Sequence, residues 1–275
     1  SPAVRAAAAV ECGADIVLEL PVTHSLRSAE GFAAGGVDIL TRLGAVDGFF
    51  FGAEHADETE LLRTAKILCS AEYEAALHEL LQTRVSYPAA RERALIACGG
   101  DGALLRRPND ILAAEYCKAL VQQKSALRPL VLPRCGDYHA LDADAENPSA
   151  TAVRALYPDG NWRALVPEAA AALYAGAERF TMAAGERAML ARLRGMARRD
   201  WEVVPYGSEG LWSAVYKAVQ RESSVEAVIT AAKSKRYVRT RLQRLLLCAY
   251  LGLTADELAR PAEFVRVLAL SARGG

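Results

Sequence analysis

The first part of the chain alternates short apolar runs with amphipathic segments, which is the pattern of strands and helices in turn. An Ala-rich helix is predicted from Pro2 to Cys12. Buried strands are predicted over 15–20 and 46–51, with a helix from Ser28 to Leu43 between them. Residues 13–52 therefore form a strand, helix, strand unit that is typical of a parallel sheet.

The pattern continues to Gly160 and then changes. Up to that point it predicts helices over 58–82, 88–98 and 109–124, a strand over 129–133, a polar loop over 135–148 and a helix opening at Ser149. From 167 onward it predicts helices over 167–180, 185–199, 211–221, 224–233 and 236–251, and a final strand over 264–270. We therefore expect an α/β domain over 1–160 and a mainly helical domain over 161–275.

Two capping boxes indicate helix starts in the second half. In each, a hydroxyl residue is followed three positions later by a glutamate, as in Ser223 with Glu226 and Thr254 with Glu257. Both predict reciprocal hydrogen bonds between side chain and backbone at the first turn of a helix.

Composition excludes some classes of protein. The 275 residues are 52% hydrophobic, and Lys+Arg and Asp+Glu both number 33, so net charge draws the chain neither to nucleic acid nor to a membrane. No apolar run approaches the roughly 18 residues that span a bilayer. The six cysteines have no metal-site or disulfide spacing, which favours reduced thiols in a cytoplasmic protein. The sequence does not indicate an oligomeric state.

Three polar clusters between 108 and 154 are candidates for a phosphate site. Asn109 lies in a helix start, Arg134 ends an apolar run, and Ser149, Thr151 and Arg154 open another helix. Free backbone N–H groups and the helix dipole favour an anion at such a start, and a guanidinium adds a planar charge. The alternatives are ordinary N-caps with a surface arginine, and Asn109 in particular suits a cap as well as a contact to a nucleoside.

A glycine and two polar residues follow the second predicted strand. Gly52 stands at its carboxyl end, where a backbone without a side chain can approach a ligand closely or can simply turn. Glu54 and His55 are candidate polar contacts beside it. His24 and His139 are assigned no role.

A run of cationic residues without any acid lies at 233–244, on a helix whose other face is apolar. Acid-free runs of this kind favour binding of an RNA backbone over an ordinary solvated face, and an aromatic on the same side can stack on a base. The candidate RNA contacts are Lys233, Lys235, Arg236, Tyr237, Arg239, Arg241 and Arg244.

Several motifs together resemble the bacterial tRNA(Met) cytidine acetate ligases of the nucleotidyltransferase superfamily. The resemblance covers nearly the whole chain and rests on segments in the family's order: 13–21, 28–30, 51–54, 108–112, 149–154 and 234–237. It implies a Rossmann-like, parallel-sheet ATP-binding domain over 1–160 and a tRNA-binding domain over 161–275. It also implies activation of acetate as acetyl-adenylate, then acetyl transfer to N4 of the wobble cytidine of elongator tRNA(Met).

The resemblance also implies site residues and departures. Gly52, Asn109 and Arg134 match residues that contact ATP in the family, and Arg154 matches the superfamily's late phosphate motif. Mg²⁺ is expected with ATP, no metal-binding residue is assigned, and no protein nucleophile is required. The family's His-x-Gly-His loop has no match, so a first segment is expected before Ser1 and further chain after the last strand.

Two other functions remain open on the residues alone. One is an adenylyltransferase that uses another small acid and no RNA. The other is a non-catalytic tRNA-binding protein. The acid-free run at 233–244 argues against the first of these.

Overall fold

The computed structural model describes residues 1–83, 85–134, 149–234 and 237–274. Its α-helices are α1 (Pro2–Glu11), α2 (Val22–Ser25), α3 (Ala29–Leu43), α4 (Glu58–Leu68), α5 (Ala71–Leu81), α6 (Tyr87–Ala97), α7 (Pro108–Gln122), α8 (Ala150–Leu156), α9 (Glu168–Ala175), α10 (Glu186–Gly195), α11 (Arg198–Glu202), α12 (Leu211–Arg221), α13 (Val225–Ala232), α14 (Arg239–Leu251) and α15 (Ala255–Ala259). Its strands are β1 (Ile16–Leu18), β2 (Gly48–Ala53), β3 (Arg128–Pro133) and β4 (Val267–Leu270).

Strands β2 and β3 form the parallel pair on which the candidate site is built. Their register runs from Gly48 opposite Arg128 to Ala53 opposite Pro133, so both strands end at the same edge. Side chains alternate along β2: Phe51 faces the core under α4 and α7, whereas Phe50 is 64% exposed on the other face. The expected parallel sheet is confirmed.

The expected pairing within 13–52 is wrong, because β1 does not pair with β2 among the described residues. Strand β1 instead pairs antiparallel with β4, with Ile16 opposite Leu270. An ion pair of 2.7 Å between Glu19 and Arg266 joins the two segments. A local pattern could not have found this partner, since it lies at the other end of the chain.

The helix expected over 58–82 is two helices, α4 and α5. The break falls at Cys69 and Ser70, where the Ser70 hydroxyl accepts a hydrogen bond of 3.2 Å from the Tyr73 backbone N–H. This N-cap satisfies a donor that a continuous helix would have paired with a carbonyl. Apolar spacing continues across the break, which is why the pattern predicted one helix.

The two predicted capping boxes have different outcomes. Thr254 and Glu257 form both bonds, with Glu257 N–H donating to the Thr254 hydroxyl over 3.2 Å and Thr254 N–H donating to the Glu257 carboxylate over 2.8 Å. The box at Ser223 and Glu226 is wrong. Ser224 caps α13 instead, and Glu226 pairs with Arg239 of α14.

The chain divides into two compact units. Unit 1 comprises residues 1–19, 29–178 and 263–275, and unit 2 comprises 20–28 and 179–262. Residues 20–28 thus belong to unit 2 and residues 263–275 to unit 1, and the domain bounds expected over 1–160 and 161–275 stay predictions. The roles expected for the two parts stay predictions. Among the described residues, no helix is both long enough and apolar enough to cross a bilayer.

Candidate nucleotide site

The candidate site lies in unit 1, where β2 and β3 end beside the first turn of α7. The Arg134 N–H donates to the Ala53 carbonyl over 2.8 Å and extends the pairing one residue past β3. Helix α7 packs under the sheet through Ala113 and Cys117, which are fully buried. The packed helix fixes the position of its N-terminus relative to the strand ends, and ligands of parallel sheets bind beyond this edge.

Glu54 connects the end of β2 to α7. One of its carboxylate oxygens accepts a hydrogen bond of 2.7 Å from the Asn109 side-chain amide, and the other accepts one of 2.9 Å from the Asp110 backbone N–H. In the reverse direction, the Asp110 carboxyl accepts a 2.7 Å hydrogen bond from the His55 backbone N–H. Residues 54 and 55 are thus bound to residues 109 and 110 by three hydrogen bonds.

The two carboxyl groups have opposite pKa shifts. Burial by itself raises the pKa of Glu54, but the bonds from Asn109 and from the Asp110 backbone outweigh burial and lower that pKa below its ordinary value. Burial raises the pKa of Asp110, which is 2% exposed, and the neighbouring Glu54 raises it further against the opposing His55 bond. Glu54 is therefore the more acidic of the two carboxyl groups.

Gly52 and Arg134 are in direct contact. A Cβ on Gly52 would lie 2.8 Å from the Arg134 Cδ and 2.9 Å from its Cγ. The aliphatic stem of Arg134 therefore passes over Gly52, on the face of the sheet opposite the core. The absence of a side chain at Gly52 makes room for the arginine as well as for any ligand.

Arg134 and Arg154 line a common pocket of about 540 Å³. Arg5 lines it too, so three arginines border one pocket. The aromatic rings of Tyr157 and Trp162 stack 4.8 Å apart at an interplanar angle of 18°, and both residues line the pocket. A pocket with several guanidiniums and aromatic walls suits a nucleotide, whose phosphates are anionic and whose base is flat.

Ser149 and Thr151 have separate positions. Ser149 is buried as the N-cap of α8, and its hydroxyl accepts from the Ala152 N–H over 3.0 Å. Ser149 is therefore an N-cap, which was one of the two alternatives that the sequence left open. Thr151 is exposed. Asn109 is not an N-cap, because α7 begins at Pro108 and its cap position is Arg107.

Two participants, Asp110 and Arg5, were missed from the sequence, and a third, Glu54, was predicted only as a candidate polar contact, without its bond to Asn109. Asp110 sits beside Asn109 but gave no signal of its own. Arg5 lies far from the other pocket residues along the chain, and only the fold brings it to them.

The described residues contain no group of three or more His, Cys, Asp or Glu side chains that could hold a metal ion. The two carboxyls nearest the sheet edge are hydrogen-bonded to Asn109 and to backbone N–H groups.

The cationic run at 233–244 is less free than its sequence indicated. Arg239 forms a two-pronged pair with Glu226 of α13. Arg241 donates to the Tyr206 carbonyl over 3.1 Å and to the Ser208 hydroxyl over 2.8 Å. The run contains no acid, but folding brings acids to it from other elements.

The aromatics of this region stack on arginines of the same unit. The Arg241 guanidinium lies 5.4 Å from the centre of the Tyr237 ring, and that of Arg244 lies 5.1 Å from the Tyr206 ring. Lys233 is exposed just after α13. Lys235 and Arg236 fall outside the described residues, as does His139.

The fold and the sequence are those of a nucleotidyl transferase. The sequence profile of the HIGH Nucleotidyl Transferase family matches residues 3–275. A tRNA(Met) cytidine acetate ligase of Alkaliphilus metalliredigens is 30% identical over 301 residues, covering 98% of this chain and 71% of that protein. One of Caldanaerobacter subterraneus subsp. tengcongensis is 31% identical over 296 residues, with the same coverage.

Solved structures agree with these relatives. The apo crystal structure of Thermotoga maritima TmcAL superposes with a TM-score of 0.90 at 27% identity, covering 99% of this chain and 70% of that one. TmcAL bound with alpha-thio ATP gives a TM-score of 0.88 at 28% identity, covering 99% and 69%. This chain belongs to the family of the tRNA(Met) cytidine acetate ligases, within the HIGH nucleotidyl transferases.

Proposed function

We propose that this protein uses ATP to activate acetate and transfers the acetyl group to N4 of the wobble cytidine of elongator tRNA(Met). The observation that carries the proposal is the sheet edge where Gly52, Asn109 and Arg134 come together in a chain whose relatives have this name. One relative in the same fold binds an ATP analogue. We place the reaction in the cytoplasm, with its tRNA.

The ATP would lie along this edge. Asn109 contacts the nucleoside, and Arg134 passes from the edge into the pocket that it shares with Arg154. The triphosphate is directed to those guanidiniums, and the stacked rings of Tyr157 and Trp162 supply an apolar wall. Ser149 and Thr151 lie at the start of α8, next to Arg154, and are proposed to contact the same phosphates.

The chemistry needs no protein nucleophile. A carboxylate oxygen of acetate attacks the α-phosphorus, the bond to the β-phosphate oxygen breaks, and pyrophosphate leaves with the electron pair. The cytidine amine then attacks the acetyl carbon, AMP leaves, and the amine loses a proton. Arg134 and Arg154 would stabilise the charge that builds on the phosphates in the first step. We expect Mg²⁺ to enter with ATP, held mainly by phosphate oxygens and water.

The charge of unit 2 supports the tRNA part of the proposal. Unit 2 contains 16 Lys and Arg against 8 Asp and Glu, whereas unit 1 contains 17 against 25. The neutral chain thus consists of one unit with a net charge of +8 and one of −8. Phosphate backbones are attracted to such a surface, and the attraction weakens steeply with salt. We assign the RNA surface to unit 2.

Within that surface the candidates differ in role. Lys233, Lys235, Arg236 and Arg239 are proposed to contact phosphates directly, Arg239 by exchanging Glu226 for a phosphate. Tyr237, Arg241 and Arg244 are proposed to support the surface, because their side chains are already bound within unit 2.

Transfer of labelled acetyl from acetate to a tRNA(Met) transcript by the full-length gene product tests the proposal. We expect label in the tRNA only when ATP is present. Release of pyrophosphate from ATP with a different small acid but not with acetate, and no label in the tRNA, would favour the alternative adenylyltransferase. Salt-sensitive tRNA binding without any ATP binding would favour the non-catalytic tRNA-binding protein.

A matched pair of variants tests the surface. Lys233→Glu should weaken tRNA binding about tenfold at low salt, since it replaces an attraction by a repulsion. Lys66→Glu, the same change at an exposed position of unit 1, should leave tRNA binding unchanged. Equal effects of the two variants would contradict the assignment to unit 2.

A further inference from the structure

Glu54 determines how the Asn109 amide is oriented. An asparagine amide has a donating nitrogen and an accepting oxygen, and the two ends are distinguished by their partners. The Glu54 carboxylate can only accept, so the amide must direct Nδ2 toward it, at 2.7 Å. The Asn109 Oδ1 consequently points the other way.

We propose that Glu54 is a positioning residue that makes Asn109 present a hydrogen-bond acceptor to the nucleotide, so that the site selects a nucleoside with a donor at that point. The donor is either the exocyclic amino group of the base or a ribose hydroxyl. The proposal rests on the proposed function, in which Asn109 contacts ATP.

The backbone around the amide is held independently of its orientation. The second Glu54 oxygen binds the Asp110 N–H over 2.9 Å, and Asp110 binds the His55 N–H over 2.7 Å. These bonds keep the strand end and the helix start together. A change at residue 54 that preserves the bond to the Asp110 N–H can therefore alter the amide and leave the fold intact.

Glu54→Gln is such a change. The single oxygen of the new side chain can still accept from the Asp110 N–H, which directs its NH₂ group toward Asn109. Two donors would then face each other, and the Asn109 amide avoids this by turning over, so that Oδ1 accepts from the introduced NH₂ group and Nδ2 faces the nucleotide. The variant thus exchanges an acceptor for a donor without removing a hydrogen bond from the protein.

Combining Glu54→Gln with Asn109→Asp restores the acceptor. The glutamine NH₂ group donates to one oxygen of the new aspartate, and the other oxygen faces the nucleotide as Oδ1 did. The net charge of the pair remains −1, and the bond from the Asp110 N–H is kept. Asn109→Asp alone places two carboxylates in contact and lacks this arrangement.

The experiment is equilibrium ATP binding by the full-length gene product, with thermal unfolding as the check on folding. We expect Glu54→Gln to weaken ATP binding about tenfold or more, because a donor of the ligand loses its acceptor and meets another donor. The double variant should return to within about threefold of the parent. Glu58→Gln, the same substitution at an exposed position four residues away, should bind as the parent does.

Analogues identify the donor on the nucleotide. Inosine triphosphate has a carbonyl in place of the amino group, and the deoxy analogues of ATP lack the 2′ or the 3′ hydroxyl. The penalty of Glu54→Gln should vanish for the one analogue that lacks the donor. The same penalty with ATP and every analogue, or a double variant as weak as Glu54→Gln, would overturn the proposal.

The controls separate this inference from the proposed function. If the parent does not bind ATP, or if Asn109→Ala binds ATP as the parent does, the assignment of the nucleotide site fails. If the parent binds, Asn109→Ala is weak and the double variant is not restored, only the role of Glu54 fails.

Discussion

The contact between Gly52 and Arg134 leads to a prediction about a single methyl group. In Gly52→Ala the new Cβ would lie 2.8 Å from Cδ and 2.9 Å from Cγ of Arg134. Carbon atoms that are not bonded to each other prefer about 3.5–4.0 Å, so the arginine stem must move by roughly 0.7 Å or more. Both atoms lie in the middle of the side chain, and the guanidinium therefore moves with them.

The size of the effect follows from what the guanidinium would bind. A hydrogen bond to a charged group contributes about 1.5–3 kcal/mol, which corresponds to roughly ten- to hundredfold in affinity. Arg134→Ala should lose most of this, and Gly52→Ala about tenfold. Since the methyl group acts through the arginine, adding Gly52→Ala to Arg134→Ala should change ATP affinity less than about twofold.

Calorimetric titration of the four proteins with ATP measures this cycle. Gly36→Ala is the matched control, because a Cβ on Gly36 meets no atom within 4 Å in α3. It should bind ATP as the parent does and raise stability by about 0.5–1 kcal/mol. ATP affinity unchanged by Gly52→Ala, or effects of the two variants that simply add, would show that the methyl group does not act through Arg134.

Three further predictions concern stability. Burial and the charge of Glu54 raise the pKa of Asp110 above 3.8, so ionising Asp110 destabilises the fold as pH rises from about 4 through the raised pKa. In urea unfolding, the free energy of unfolding of Asp110→Asn should therefore rise relative to that of the parent over this pH range. A difference between the two proteins that does not change with pH would contradict the prediction. Arg91→Ala should lower the free energy of unfolding, measured in urea, by up to about 3–5 kcal/mol, because the Glu115 carboxylate, 2% exposed, loses its 2.5 Å partner and keeps the Lys118 ammonium at 4.0 Å. A loss below about 1 kcal/mol would show that Lys118 or water compensates the charge. Arg241→Ala should lower the melting temperature, because the Tyr206 carbonyl and the Ser208 hydroxyl lose a hydrogen-bond donor and Glu209 loses an ion pair. An unchanged melting temperature with weakened tRNA binding would instead identify Arg241 as a direct RNA contact.

The strands and helices near the site could be predicted because their signals are local. Apolar runs ended by glycine or proline predicted β2 and β3, and the spacing of apolar residues predicted α3 and α7. Gly52 and Arg134 were each predicted at the end of a strand, and the parallel register of β2 and β3 brings these two strand ends to one edge.

The rest depended on partners that are distant along the chain. Strand β1 looked like a neighbour of β2, but its partner β4 is at the other end of the sequence. Arg239 looked free because Glu226 lies in another helix. The pattern along the sequence predicts whether a segment is a strand or a helix. It does not predict which strand it pairs with or which charged residue it contacts.

The orientation of Asn109 is the sharpest case. The sequence predicted a polar contact and left open whether the amide would be a cap or a ligand. Only the position of Glu54, 55 residues earlier in the chain, shows which end of the amide is turned outward.

In the proposed function, ATP bound at the edge of β2 and β3 activates acetate. Exchange of labelled pyrophosphate into ATP by the full-length gene product measures that step alone, without tRNA. We expect exchange that requires acetate and falls at least about tenfold in Asn109→Ala and in Arg134→Ala. Exchange without acetate, or acetate-dependent exchange at the parent rate in both variants, would contradict it.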